Sequence, residues 1–488
     1  MEKNQNALPA KAGETKKLIK ALAGDTADLN ITELDNKGSS LLVISAEGMA
    51  GSLLINEILS APLSEIISDE SIKGGEQTVS CLFEKLLICA DKAYVTTIDE
   101  LMTRLFSGFC IIVCDGCSKA IAAGTQGFAS RSVSLPIADQ SVYGPQEGFT
   151  ESIRVNISAI RRRMKTPKLR FELIQTGGLS KTDTAICYIE GRADRKAISK
   201  IRREINGIKL DTVLSCGYIR PFVEKGYSLT LFSPSRLTER PDSVCAALNV
   251  GRIAILTDGT PFAIIIPAFF SEHFITPDDY VQKPLYVAFI RVLKFFAFFL
   301  ATLFPGIYAA SVFEPEGFAF KLLLNLYSAE ESSQFPLGTE VLIVTVLLEI
   351  LREAGIRLPK AVGSAVSIVG GLIIGDAAVK CGIISAPLLI LVGLTATSSF
   401  VIPEISAQTS IIRFIFIIAG SFAGMTGLAC ALAVVTANVC AMDELSAIYT
   451  SPIIPVDIQR IKNVLMRKSF KTLQKSKTKA DDKGAEGL

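Results

Sequence analysis

Charged residues vanish from stretches such as Phe295 to Val312 and Ile383 to Val401, whereas Lys, Arg, Asp and Glu are dense up to about Tyr280. A helix that crosses a bilayer needs about 20 predominantly apolar residues. The charge pattern therefore divides the chain into a soluble first half and a membrane-embedded second half. A mean hydropathy of +0.41 over 488 residues agrees, because a soluble chain of this size must keep a polar surface. The embedded segments read as Tyr286 to Val312, Glu340 to Leu351, Ala361 to Ile374, Ile383 to Ile402 and Ile411 to Met442. Basic residues mark the cytoplasmic side of a membrane protein. Arg161-Arg162-Arg163 before the first segment and Arg467-Lys468 after the last place both ends there, which requires an even number of crossings. Either Ala361 to Ile374 is re-entrant, giving four spans, or Phe318 to Tyr327 joins another helix, giving six, and parity leaves both open.

The first half reads as α/β. Residues up to about Asn36 are polar and Lys-rich, partly helical or loosely ordered. Leu41 to Ile44 reads as a buried strand, Leu53 to Leu59 as part of a helix, Glu100 to Phe106 as a helix, and Phe109 to Cys114 with Lys119 to Ala123 as a hairpin around Asp115-Gly116. After Gly144-Pro145 the pattern gives a helix from Thr150 to Arg163, a strand from Ala185 to Ile189, a helix from Arg195 to Ile205 and a further strand from Lys209 to Leu214. Arg252 to Phe270 has nearly the length of a span. Thr257-Asp258-Gly259-Thr260-Pro261 interrupts it, and a D-G step between β-branched runs signals a hairpin. The expected fold class is an α/β soluble N-terminal region of two small subdomains, followed by an all-α polytopic membrane domain. Its parts are a polar segment (1–37), two cytoplasmic α/β subdomains (38–135 and 144–280), a membrane domain of four to six spanning or re-entrant helices (285–442) and a basic cytoplasmic tail (456–488).

Composition narrows the chemistry. A net charge of +2 and the lack of a basic stripe interleaved with aromatics argue against nucleic acid. One His and no Trp remove most His-based catalysis and most zinc sites. Eleven scattered Cys suit a reducing compartment rather than a disulfide framework, and Met1 to Asn6 opens no apolar signal segment. Cys110, Cys114 and Cys117 have the spacing of an iron–sulfur loop, but the first two alternate along a strand and read as core residues. No phosphate-binding glycine loop is present. Catalytic, metal and cofactor residues are therefore not expected, and the chain does not read as an enzyme.

The membrane half offers other candidates. Ile368 to Gly375 contains a small-xxx-small pattern, Gly371 to Gly375, which suits close helix packing or the lining of a pore. Ser364, Ser367, Gly370, Gly371, Gly375, Asp376 and Lys380 are the candidate pore-lining or gating residues, with Asp376 and Lys380 at ion-pair spacing on a helix. Glu349, Arg352, Glu353 and Arg357 form candidate ion pairs at a membrane edge.

Several strings, in order, carry a specific resemblance. They are Gly144-Pro145-Gln146-Glu147-Gly148-Phe149-Thr150-Glu151 with Asn156 and Arg161-Arg162-Arg163, Glu239-Arg240-Pro241-Asp242, Gly251 to Phe262, Pro277-Asp278-Asp279-Tyr280, Leu351 to Pro359 and Ile368 to Gly375. Over roughly residues 90–455 the chain resembles the A subunits of the GerA family of spore germination receptors, or their stage V AF-type paralogues. Within those strings Glu147, Glu151, Asn156, Arg163, Arg240, Asp242, Arg252 and Asp258 are the cytoplasmic signature residues. The chain departs from the family at Asp376, usually Gln, and at Phe313-Glu314-Pro315-Glu316. The resemblance implies a protein of the endospore inner membrane. It would act with a permease-like B subunit that binds the nutrient and a lipoprotein C subunit, and would oligomerise into a nutrient-gated channel for monovalent cations. A non-conducting scaffold and a secondary transporter are the rival readings.

Overall fold

The computed structural model describes residues 7–36, 39–51, 53–57, 75–85, 91–126, 136, 143–224, 226, 230–311, 335–357, 375–445 and 447–466. Two compact units emerge, Met1–Tyr227 with Ser235–Ala268, and Ser228–Pro234 with Phe269–Gly487.

The first unit holds two five-stranded sheets, antiparallel throughout. One runs in the order β1 (Leu29–Asn36), β2 (Ser39–Ala46), β4 (Phe109–Cys114), β5 (Ala120–Gly124), β3 (Lys92–Val95). Its centre, β4, is buried along its whole length, which is why it reads as an unbroken apolar run. Ile111 and Val113 pack with Ile19 of helix α1 (Ala12–Ala23) and Leu101 and Leu105 of α3 (Ile98–Leu105). Cys110, Ile112 and Cys114 point the other way, with Cys117, onto Val79 and Leu82 of α2 (Gly75–Lys85). The three thiols thus form one face of a core. Burial pushes the Cys114 thiol up to about 12, with Cys117 and Asp115 adding to the rise.

Two findings differ from the sequence reading here. The polar segment before residue 37, read as partly helical or loosely ordered, holds edge strand β1 of the first sheet as well as helix α1. Helix α1 buries Ala12, Thr15, Ile19 and Ala23 along one face, and Asp115 Oδ1 accepts the Ala12 N–H at 2.6 Å. Residues Lys209 to Leu214 are not a strand. Their backbone bonds the turn at 177–182 instead: Leu210 O accepts the Gly178 N–H, Asp211 O accepts the Leu179 N–H, and the Val213 N–H goes to the Ser180 hydroxyl.

The second sheet runs β6 (Leu169–Thr176), β7 (Thr182–Ile189), β9 (Ile253–Thr257), β10 (Ala263–Ile266), β8 (Arg236–Thr238). The expected hairpin is β9–β10, with Ile255 opposite Ile264. Leu169, Phe171, Cys187, Leu256 and Ile265 pack against α4 (Ile153–Arg163) and α7 (Pro241–Asn249). Helix α5 (Arg195–Asn206) starts at Asp194, whose carboxylate accepts the Lys196 N–H, and buries Ala197, Ile198, Ile201 and Ile205. The short helix α6 (Cys216–Val223) packs on β9 and β10. Together these form the expected α/β region.

Among its described residues the second unit is helical apart from turns, connecting loops and a two-residue strand pair, Asp443–Glu444 with Ala447–Ile448. It contains α8 (Pro284–Thr302), α9 (Phe304–Ala310), α10 (Leu337–Arg357), α11 (Ala386–Phe400), α12 (Ser406–Cys440) and α13 (Ile458–Leu465). Among the described residues Pro284–Ala310 and Pro403–Cys440 are long and apolar enough to cross a membrane. At 1.5 Å per residue α8 spans about 28 Å, the thickness of a hydrocarbon core. The sequence-read segments Ala361 to Ile374 and Phe318 to Tyr327 lie outside the described residues.

Candidate functional site

In the first unit, strings far apart in sequence converge on the first turn of α4. The Phe149 N–H donates to Glu239 O at 2.7 Å. Asn156 closes the loop before the helix, with its Nδ2 donating to Thr150 O at 2.6 Å and its Oδ1 accepting the Thr150 N–H at 2.8 Å. Asp258, from the β9–β10 turn, accepts the Ile153 N–H at 2.9 Å, and the Gly259 N–H donates to Glu151 O at 2.8 Å. The turn therefore caps the helix from outside, satisfying an N–H that helix geometry leaves unpaired. Glu147 bridges Arg162 and Arg163, and Arg240 grips Asp242 with two bonds of 3.1 and 2.8 Å. Arg252 follows α7 and bonds its N–H to Ala247 O. These residues build a joint rather than a cavity.

Arg161 is the deepest member of that joint and has no solvent exposure. Its Nε and Nη2 hold both oxygens of Asp28 at 2.8 and 3.0 Å, and its remaining N–H groups reach Thr166 O and Leu169 O. Phe106 and Phe171 lie on the guanidinium at 4.2 and 5.0 Å. Asp28 precedes β1 of the first sheet and Phe171 lies in β6 of the second, so one cation ties the two layers.

In the second unit polarity is inverted. Helix α8 exposes Leu285, Phe289, Phe296 and Phe299 while burying Arg291 (3 %) and Lys294 (6 %). Arg291 pairs with Asp279 at 2.7 Å, and Lys294 Nζ reaches Thr276 Oγ1 at 3.1 Å. Water would reverse this arrangement, whereas an apolar solvent stabilises it. Deeper in the bundle lies a second polar seam. Arg413 of α12 is 2 % exposed and donates its Nε to Ala301 O at 2.8 Å, while its Nη2 meets no acceptor among the described residues. One turn before it, Ser410 donates to Glu349 of α10 at 3.1 Å, and Glu349 also pairs with Arg352. Near the start of α10, Glu340 (1 % exposed) accepts the N–H of Ser385, the residue capping α11. That carboxylate sits at two helix N-termini, where the dipoles favour it.

Helix α12 is not one rod. Ala423 (φ −133°, ψ 17°) and Gly424 (φ 58°, ψ −147°) break it, and only glycine adopts the second conformation without strain. Both arms return to Gly306 of α9: a Cβ there would meet Phe416 O at 2.8 Å and Leu428 Cδ1 at 2.9 Å. The two ends also meet. His273 bonds Glu404, just before the first arm, through Nδ1 at 3.1 Å, and Tyr449, just beyond the second, through Nε2 at 3.0 Å. A straight helix of 35 residues would hold its own ends about 52 Å apart. The element is therefore a helical hairpin clasped at its open end by the single histidine of the chain.

The sequence profile described as "Bacillus/Clostridium GerA spore germination protein" matches residues 17–479. The chain belongs to the GerA family. Spore germination protein KA of Bacillus subtilis (strain 168) is 38% identical to it over 464 residues, which is 93% of this chain and 83% of that protein. Stage V sporulation protein AF of the same organism is 25% identical over 447 residues, 91% of this chain and 89% of that protein. Among solved structures, the crystal structure of the N-terminal domain of the A subunit of the Bacillus megaterium spore germinant receptor GerK3 matches with a TM-score of 0.43 and 28% identity. It covers 54% of this chain and 97% of that one.

In this GerA-family chain the residues singled out from sequence fall into three groups. Glu147, Glu151, Asn156, Arg163, Arg240, Asp242, Arg252 and Asp258 lie around the α4 joint described above. Glu349 pairs with Arg352 inside the seam, and Glu353 with Arg357 at 2.7 Å on the exposed side of α10. Of the candidate pore residues, Ser364, Ser367, Gly370 and Gly371 lie outside the described residues. Gly375 opens a short helical turn against Leu389, and Asp376 and Lys380 form an exposed pair at 2.6 Å. Sequence reasoning missed Arg413, Glu340 and the His273 clasp. Arg413 alone was detectable, as the lone cation inside the apolar run Ile411 to Met442.

Proposed function

We propose that this GerA-family chain is the A subunit of a nutrient germinant receptor. It is a multi-pass protein of the endospore inner membrane with its α/β unit on the core side, and its copies assemble around a path for monovalent cations. The inverted polarity of α8, with cations inward and phenylalanines outward, carries the membrane reading. The Glu349–Ser410–Arg413 seam supports a helical unit that moves between two arrangements, because an arginine with an unmet N–H inside apolar surroundings gains from any rearrangement that supplies an acceptor. The small residues of Ala361 to Gly375 line the path, and Asp376 with Lys380 sits at its mouth. A permease-like B subunit binds the nutrient and a lipoprotein C subunit completes the receptor. The work done is a shift of a closed–open equilibrium, with no covalent chemistry.

The test is potassium efflux from liposomes holding the full chain with its B and C subunits, with and without nutrient. Bulky substitutions from Ser364 to Gly375 are compared with wild type. Nutrient-dependent efflux that falls with side-chain size at these positions is expected. Assembled receptor that binds nutrient but passes no ion would overturn the conducting role and leave a scaffold.

A further inference from the structure

Between α10 and the first arm of α12 runs an open groove of about 500 Å³ that the proposed ion path does not use. Val346, Ile350 and Ala354 line it at four-residue spacing along one face of α10, with Phe414 of α12 beside them. Glu353 and Arg357 line its end, both exposed and paired with each other at 2.7 Å. Glu349 also borders it, but its carboxylate is already held by Ser410 and Arg352. The groove thus changes from apolar to zwitterionic along its length. From Val346 to Arg357 it follows the helix for about 16 Å, close to the depth of one leaflet's hydrocarbon, about 15 Å. A volume of about 500 Å³ over that length leaves a cross-section of about 30 Å². A helix about 10 Å across needs more than twice that, whereas a single extended acyl chain is slim enough.

We propose that this groove holds one membrane phospholipid with a zwitterionic, amine-bearing headgroup, of the phosphatidylethanolamine kind. One acyl chain lies along Val346, Ile350, Ala354 and Phe414. The phosphate takes the Arg357 guanidinium, and the ammonium takes the Glu353 carboxylate. Arginine presents a planar fork that suits phosphate, and a primary ammonium brings three N–H donors to a carboxylate. A choline headgroup has the same charges but no N–H, and a glycerol headgroup has no cation for Glu353. The lipid replaces the Glu353–Arg357 contact, worth little where water reaches it, by two charge-assisted contacts and a covered acyl chain. The inference rests on the membrane reading above and adds a specific lipid to it.

The experiment is native mass spectrometry of the full chain, released from detergent after equilibration with phosphatidylethanolamine, phosphatidylcholine or phosphatidylglycerol of equal chain length. One phosphatidylethanolamine per chain is expected to be retained, and each of the other two up to about five-fold less. Glu353→Gln removes the preference for phosphatidylethanolamine over phosphatidylcholine, and Arg357→Gln lowers retention of all three lipids. Ile350→Trp fills the groove and abolishes retention, while Ile390→Trp, at an exposed position of α11, leaves it unchanged. Equal retention of the three lipids by wild type, or retention that Ile350→Trp and Arg357→Gln both leave unchanged, overturns the proposal. So does an Ile350→Trp chain that keeps its lipid but changes its number of copies, which would assign the groove to a second copy of the chain. A chain that stays monodisperse with neither detergent nor lipid would instead overturn the membrane reading itself.

Discussion

Single buried charges carry much of the architecture. Arg161 and Asp28 are both almost wholly buried, and removing one partner strands the other. Arg161→Met should destabilise the first unit by about 3–5 kcal/mol, seen as a lower thermal midpoint and early proteolysis between the two sheets. Arg161→Met with Asp28→Leu should recover most of the loss, because the pair is then replaced by packing. A milder, pH-dependent case is Glu172. Burial raises its pKa, but hydrogen bonds from Arg202 and Tyr188 outweigh that and leave it below the ordinary value. A depressed carboxylate contributes stability that is complete above its unfolded pKa of about 4.3 and is lost as pH falls through the folded value. Glu172→Gln should therefore cost up to about 1 kcal/mol at neutral pH, a figure limited by solvent around Arg202. The difference from wild type should shrink as pH falls below the unfolded pKa and through the lowered folded one, which paired melts across an acid pH series measure. From sequence, Arg161 was one of three consecutive arginines, and nothing in the run marks the first one as buried. That depends on which face of α4 meets Asp28, more than a hundred residues away.

Elements were legible where their surroundings were simple. Strands β4, β7, β9 and β10 lie inside their sheets and read as apolar runs. Strands β1 and β6 are edge strands, with sequences LNITELDN and LRFELIQT. Charges on an edge guard against pairing with other chains, and the same charges hide the strand from a search for apolar runs. Lys209 to Leu214 fails in the other direction: its alternation is strand-like, but the turn at 177–182 takes its hydrogen bonds. Helix crossings give a sharper test. A Cβ on Gly420 would lie 2.5 Å from Gly306 O, whereas one on Gly393 of α11 meets nothing within 4 Å. Gly420→Ala should lower stability by about 1–3 kcal/mol through overpacking. Gly393→Ala should be neutral or stabilising by up to about 1 kcal/mol from helix propensity. Thermal unfolding in detergent of the two variants side by side checks both signs.

At the scale of the whole molecule, the charge-poor stretches gave the two-part organisation, since hydropathy reports on solvent directly. It does not report on chain direction. Ile411 to Met442 reads as one apolar segment, and hydropathy does not register that Gly424 reverses it. The reversal matters for topology, because a hairpin returns the chain to the side from which it started and adds an even number of crossings or none. Its geometry can be measured. Ala407 and Ala441 are exposed positions at the two ends of α12, and spin labels there would be about 51 Å apart along a continuous helix. With Glu404 and Tyr449 both bonded to His273, the hairpin predicts a separation roughly half that or less, allowing for label length. Pulsed dipolar spectroscopy on the full chain in lipid resolves the two cases, and a distance near the long value would show α12 to be a single rod. His273→Ala should broaden the short distance distribution without moving it to the long value, because Gly306 still holds both arms at Phe416 and Leu428. A clasp that only fastens the open end loosens that end when removed, whereas a clasp that created the fold would let the arms separate.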